Sequence, residues 1–357
     1  MRDVAALAGV SLKTVSRVIN GTATVDPVLA AKVCRAAAQL NYQPNLTASS
    51  LRRGDGRSLM IGLMLGDVAS PVSSGIYRSA ESMARRRGFG VLAGSLDEDP
   101  GQERELASTI LLRRADGLII VPAGHDHSDL RHELDMGTAL VFVDRPPRFL
   151  AADSVVSDNR DGAAAGVRHL IDHGHRRIAY LGGLTSVFTA QDRYRGYLDS
   201  MRQAGLCVDA RLARHDLHSV TATEAAVTEI LAGQNLPTAL FAEQSLATIG
   251  VIRALRLAGL HWQVALVGFG DFPLADLLDP PVTVVAQDPG TIGAIAAELL
   301  FRRIDGDEPA RAACGREPSD WPGLRGDLAS ITSSAAATGR MGAGHWMLLV
   351  LAAVLSA

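Results

Sequence analysis

The stretch DVAALAGVSLKTVSRVINGTATVDP, residues 3–27, decides how the chain begins. Asp3 to Ala8 is apolar-rich and helix-forming, and Gly9 suits the positive φ of a helix stop. Ser11 stands where an N-cap belongs, ahead of LKTVSRVIN, so the segment reads as helix, tight turn, helix. On the second helix Val15, Val18 and Ile19 share one face. Leu12, Lys13, Ser16 and Arg17 project from the other, as a recognition helix needs to reach base edges. Asp26 and Pro27 open a third helix, with Leu29, Val33, Ala36 or Ala37 and Leu40 at helical spacing. The core expected of these helices is Ala5, Ala8, Val10, Val15, Val18, Leu29, Val33 and Leu40.

Charge supports the same division. Residues 1–57 hold eight basic side chains against three acidic ones, a local +5, while the whole chain is −3 and the remainder therefore −8. A basic head on a larger acidic body suits a nucleic-acid binder with a separate sensing or catalytic domain. Taken alone, the charge fits a solvated basic surface equally well. With 357 residues, 47% hydrophobic, the chain buries substantial cores and is neither a disulfide miniprotein nor a disordered tail. Cys34, Cys207 and Cys314 are widely spread, without a CxxC, and read as buried or incidental thiols in a reducing compartment. No apolar signal segment opens the sequence, so a cytoplasmic location is expected.

The head and the following LNYQPNLTASSLRRG, residues 40–54, resemble the headpiece and hinge of the LacI/GalR family of bacterial transcriptional regulators. The resemblance implies double-stranded operator DNA as partner and a homodimer or tetramer. It implies base reading by Leu12, Lys13 and Arg17, with Ser11, Thr14, Ser16 and Asn20 at phosphates. It also implies a hinge helix that folds on DNA in the minor groove. There Leu51 is the wedge between base steps, Asn45 and Ala48 lie on the same face, and Arg52 and Arg53 approach phosphates. Asn45–Arg53 is too short and polar to be a stable helix alone, which agrees with folding on binding.

From Leu59 onward short apolar runs such as LMIGLML (59–65), GLIIVP (117–122), ALVFVD (139–144), TALFA (238–242) and VALVGFG (264–270) alternate with helical patterns. That rhythm means doubly wound parallel sheets covered on both faces, an α/β body behind a small all-α head. The resemblance extends over this body to about residue 309 and implies the two-lobed fold of periplasmic sugar-binding proteins. The divisions are then a head (1–44), a hinge and linker (45–57), and an effector-binding and dimerisation domain (58–309). Lobe one is about 58–156 plus 287–309, lobe two about 157–286, and an atypical tail (310–357) reads as disordered from its Gly, Ser, Ala and Pro content. That tail also reads as a frameshifted or altered terminus, with a lineage-specific extension the alternative.

Ligands of such sheets bind outside the carboxyl ends of the strands. Asp144 closes ALVFVD, Asp158 and Asn159 lie in the crossover, and Arg193 falls at a helix start. The resemblance places effector on Asp144 and Arg193. Ser70, Thr189, His218 and Asp271 sit in loops that line such a cleft, all expected to converge on one site for a sugar-like or other small polar metabolite. Three departures bear on the ligand. Gly268-Phe269-Gly270-Asp271 stands where the family has GFDD, Glu243-Gln244 where it has Asn-Asp, and Val72-Ser73 where paired aromatics are usual. A ligand other than a simple neutral hexose is therefore expected.

No GxSxG, HExxH or GxxxxGK[ST] occurs, and the His125/His127 pair lacks an evident third metal ligand at suitable spacing. No catalytic residue, metal or cofactor is expected, and the last apolar stretch, Trp346–Leu355, is too short to span a bilayer. The reading is a repressor-type DNA-binding regulator under metabolite control. A solute-binding protein for transport is the alternative, which the bilobal body alone permits.

Overall fold

A computed structural model of the chain describes residues 1–19, 25–42, 57–306 and 329–332. Two compact units emerge, Met1–Met60 with Arg114–Asp116, and Ile61–Arg113 with the chain from Gly117 onward.

In the first unit α1 (Arg2–Ala8), α2 (Leu12–Ile19) and α3 (Pro27–Gln39) follow the punctuation of the sequence. Gly9 takes φ 64° and closes α1, because that left-handed turn costs a residue without Cβ nothing. Asp26 caps α3 through its carboxylate and the amides of Val28 and Leu29. The core is Val4, Ala5, Val15, Val33, Ala36 and Ala37. Leu29 and Leu40, expected inside, are instead 37% and 44% exposed. They sit at the two ends of α3, beyond the small inner patch that α1 and α2 cover.

In the second unit a five-stranded sheet runs in the order β2 (Gly90–Ser95), β1 (Met60–Leu65), β3 (Gly117–Ile120), β4 (Ala139–Val143), β5 (Asp153–Val155). The β1/β3, β3/β4 and β4/β5 pairs are parallel. Helix α4 (Pro71–Arg86) covers it together with α11 (Pro289–Ile304), although α11 follows a strand of the other sheet, Thr283–Gln287. Gly293 permits this packing, since a Cβ there would lie 2.5 Å from the Ile76 carbonyl oxygen. Helix α5 (Pro100–Leu112) joins β2 to β3, and the short α6 (Arg131–Asp135) precedes β4.

The second sheet has the order β11 (Ala329–Thr332), β10 (Thr283–Gln287), β9 (Ala265–Phe269), β8 (Ala239–Ala242), β6 (Ile178–Leu181), β7 (Ala213–Arg214). It is parallel except for β11, which pairs antiparallel with β10. Helices α7 (Asn159–Asp172) and α8 (Phe188–Gln203) cover one face, and α9 (Val220–Leu231) and α10 (Ser245–Leu257) the other.

Two expectations need correcting. Within the stretch read as a disordered tail, Ala329–Thr332 forms the edge strand β11, paired antiparallel with β10. Helix α8 begins at Phe188, so Arg193 lies inside it rather than at its start. Val187 occupies the N-cap without any side-chain bond, and no capping residue marks the true boundary. Of the two readings of the cysteines, exposure of the free thiols Cys34 and Cys207 leaves the incidental one. Among the described residues no helix is long and apolar enough to cross a membrane.

Candidate functional site

On α2 the inward residue is Val15, fully enclosed, while Leu12 is 48% exposed and Lys13 and Arg17 are exposed beside it. The Ser11 hydroxyl accepts the Thr14 amide at 3.1 Å and shares a 2.9 Å hydrogen bond with the Thr14 hydroxyl. These contacts fix the helix start and leave a leucine and two cations outward on one short helix. Asn20, Asn45, Ala48, Leu51 and Arg52 lie outside the described residues.

In the body, the strand ends carry the polar side chains. Asp144 follows β4 with φ 69°, a backbone state that Asp tolerates better than most residues. Its carboxylate accepts Arg145 Nε at 3.2 Å. The Arg145 fork donates to both oxygens of Glu98, at 2.6 and 2.9 Å. Arg145 is thereby clamped between two loops, its guanidinium held firmly charged against the cost of burial by Asp144 and Glu98. Sequence reasoning passed over both Glu98 and Arg145. The available signal was an arginine directly after the strand-ending aspartate.

In the other lobe Arg193, inside α8, is 8% exposed. Its Nε donates to Asn159 Oδ1 at 2.8 Å and its Nη1 to the Glu243 carbonyl at 2.8 Å, with the guanidinium 4.1 Å over the Phe269 ring. Glu243 turns its carboxylate into the lobe, accepting the Gly183 amide at 2.6 Å and the Tyr180 hydroxyl at 3.0 Å. Burial and the nearby Glu243 charge push the Tyr180 phenol well above its ordinary range, so it stays a donor.

A cavity of about 150 Å³ bridges the lobes, lined by Glu98, His125, Arg145 and Arg148 on one side and Ser186 and Phe188 on the other. Asp271 lies in a different cavity, of about 600 Å³, together with Pro71, Val72 and Gln287. Of the six residues expected to converge, none lines the first of these cavities and only Asp271 lines the second. Ser70 ends at the N-cap of α4 with no capping bond from its hydroxyl. Thr189 is buried in the first turn of α8. His218 is exposed, its Nδ1 2.9 Å from the Asp216 carbonyl. A third cavity, about 250 Å³ and lined by Ile252, Leu255, Trp262 and Val282 among others, opens at the amino ends of β9 and β10, away from these residues.

The loop after β3 is braced from below. Glu103 Oε2 accepts the amides of Ala123 and Gly124, and its Oε1 lies 3.2 Å from His127 Nε2. Burial pushes the Glu103 carboxyl up, but the His127 ring and these amides outweigh it and hold it below the usual carboxylate range. His127 is therefore a structural residue. Among the described residues no group of His, Cys, Asp and Glu is placed to hold a metal ion.

Comparison with known proteins matches residues 1–45 to the lacI family of bacterial regulatory proteins and residues 167–318 to a periplasmic binding protein-like domain. The regulator DegA of Bacillus subtilis is 31% identical over 316 residues, covering 87% of this chain and 92% of DegA. The ribose operon repressor of the same organism is 32% identical over 303 residues, 84% of this chain and 90% of the repressor. Among solved structures, the lac repressor bound to ONPG in the repressed state aligns with TM-score 0.75 at 28% identity, over 86% of this chain and 93% of that one. These relatives are transcriptional regulators, not enzymes or transport proteins. An outward-facing basic α2 on a three-helix head, followed in sequence by two parallel-sheet lobes with polar strand ends, has the same meaning: the chain belongs to the LacI family of bacterial regulatory proteins.

Proposed function

We propose that this regulator is a homodimeric repressor that binds a pseudo-palindromic operator and changes its affinity when a small polar metabolite occupies the inter-lobe cleft. Residues 1–44 are the DNA-binding head, 45–57 the hinge and linker, and 58–309 the effector-binding and dimerisation domain. Leu12, Lys13 and Arg17 read base edges, Ser11, Thr14, Ser16 and Asn20 meet phosphates, and Asn45, Ala48, Leu51 and Arg52 act in the minor groove. Asp144 and Arg193 hold the effector, with Ser70, Thr189, His218 and Asp271 in the surrounding loops. The protein works in the cytoplasm, where its operator is.

The observation that carries this reading is the placement of Lys13 and Arg17, exposed on a helix whose opposite side is anchored by fully buried Val15. Support for ligand control comes from the cleft, where charged side chains of one lobe face the start of α8 in the other. Linkage requires that effector and operator alter each other's affinity by the same factor. A thermal-shift screen of sugars, nucleosides and amino acids, followed by operator titration at saturating hit, tests this. A ligand that stabilises the protein yet leaves operator affinity unchanged contradicts the regulatory claim.

A further inference from the structure

Donors and acceptors at the carboxyl ends of the second sheet are unevenly matched. Arg193 is almost enclosed, yet the two bonds it makes go to neutral oxygens, the Asn159 carboxamide and the Glu243 carbonyl. Among the described residues no carboxylate oxygen lies within 4.0 Å of its nitrogens, and its Nη2 meets no acceptor. Carboxylates at the strand ends of both lobes have partners of their own. Glu243 is taken by Gly183 and Tyr180, Asp144 and Glu98 by Arg145, and Asp271 by the Phe272 amide at 2.8 Å. Residue 270, which follows the ring that Arg193 stacks on, is a glycine at φ 83° and offers no side-chain acceptor.

An enclosed guanidinium without a counter-ion is costly, and only an anion relieves it fully. A ligand presenting hydroxyls alone would leave the Arg193 charge without a counter-ion. We infer that the effector carries an acidic group, a carboxylate or a phosphate, that pairs with Arg193, and that Gly270 keeps this position free of a competing carboxylate. The planar fork of arginine suits both groups, since each presents paired oxygens to parallel N–H donors. This inference rests on the reading of the cleft as an effector site.

Matched ligands test it on the full-length protein. Calorimetric titration would compare glucose with glucuronate and glucose 6-phosphate, and ribose with ribose 5-phosphate, with inorganic phosphate separating anion binding from recognition of the polyol. At least one acid is expected to bind about ten-fold or more tightly than its neutral parent, and whether it is a sugar acid or a sugar phosphate identifies the group. Arg193→Gln should erase the preference and Arg193→Lys should keep part of it. Gly270→Asp should weaken the acid relative to the neutral parent. Neutral parents binding as tightly as their acids, no acid binding at all, or a preference surviving in Arg193→Gln each overturn the inference. Operator titrations with the same compounds keep the two readings apart. Acids that bind preferentially without altering operator affinity defeat the regulatory reading alone, whereas neutral sugars that alone shift operator affinity defeat the charge preference alone.

Discussion

His127 and Glu103 meet with Nε2 and Oε1 3.2 Å apart and almost no exposure on either side chain. The Arg148 amide donates to His127 Nδ1 at 3.0 Å, so that nitrogen is unprotonated and the ring proton sits on Nε2, facing the carboxylate. Glu103 thus holds the loop after β3 and His127 ties that loop to the one after β4, and residues of both loops line the 150 Å³ cavity.

Replacing Glu103 by alanine strands two amides and removes the carboxylate that faces the His127 ring. The expected loss is about 3 kcal/mol of folding stability, read from urea denaturation, with weaker effector binding because Ala123 and Gly124 lose their anchor. A variant as stable as the parent would show that the brace is dispensable.

Arg17→Ala should weaken the specific operator by about 1–3 kcal/mol while leaving most binding to unrelated DNA, because a base-edge contact discriminates and a phosphate contact does not. Fluorescence anisotropy on operator and scrambled duplexes at one salt concentration distinguishes the two. Equal losses on both duplexes would move Arg17 to the backbone.

Leu51→Ala should lower operator affinity and leave thermal stability and effector binding as they are, since an apolar wedge is used only when the base step is opened. Operator affinity equal to that of the parent at matched salt would remove the wedge.

Acid sensitivity should reside partly in lobe two. Burial, reinforced by the charge of His173, holds the His175 ring below its ordinary value of 6.5. The unfolded ring takes up a proton near that value while the folded one resists, so stability is complete above pH 6.5 and falls as the pH drops below it. Urea midpoints at pH 7.5 and 5.5 should differ less in His175→Gln than in the parent. An unchanged difference would assign the acid sensitivity to other groups.

Much of this molecule is legible from its residues, and the failures have physical causes. Gly9, Asp26 and Pro27 announce their turns because each has a distinctive backbone or capping chemistry. The parallel strands announce themselves by uninterrupted apolar runs, as ALVFV does in β4, where all five residues are buried. The start of α8 was missed because Val187 carries no capping group. The Arg145–Glu98 clamp was missed because its partners are 47 residues apart and meet only when β2 and β4 join one sheet. Leu29 and Leu40 share the helical phase of Val33 but overhang the ends of a core too small to cover them. Local chemistry is readable residue by residue, whereas pairing across strand ends requires the topology.

The most direct measurement is a footprint of the purified protein over the DNA upstream of its own coding sequence, at low salt. Protection of a pseudo-palindromic site of roughly 14–20 base pairs is expected, needing more protein in Arg17→Ala and shifted in affinity by any ligand that stabilises the body. Absence of protection there, with DNA binding that no sequence change or ligand alters, would contradict a ligand-controlled operator-binding regulator.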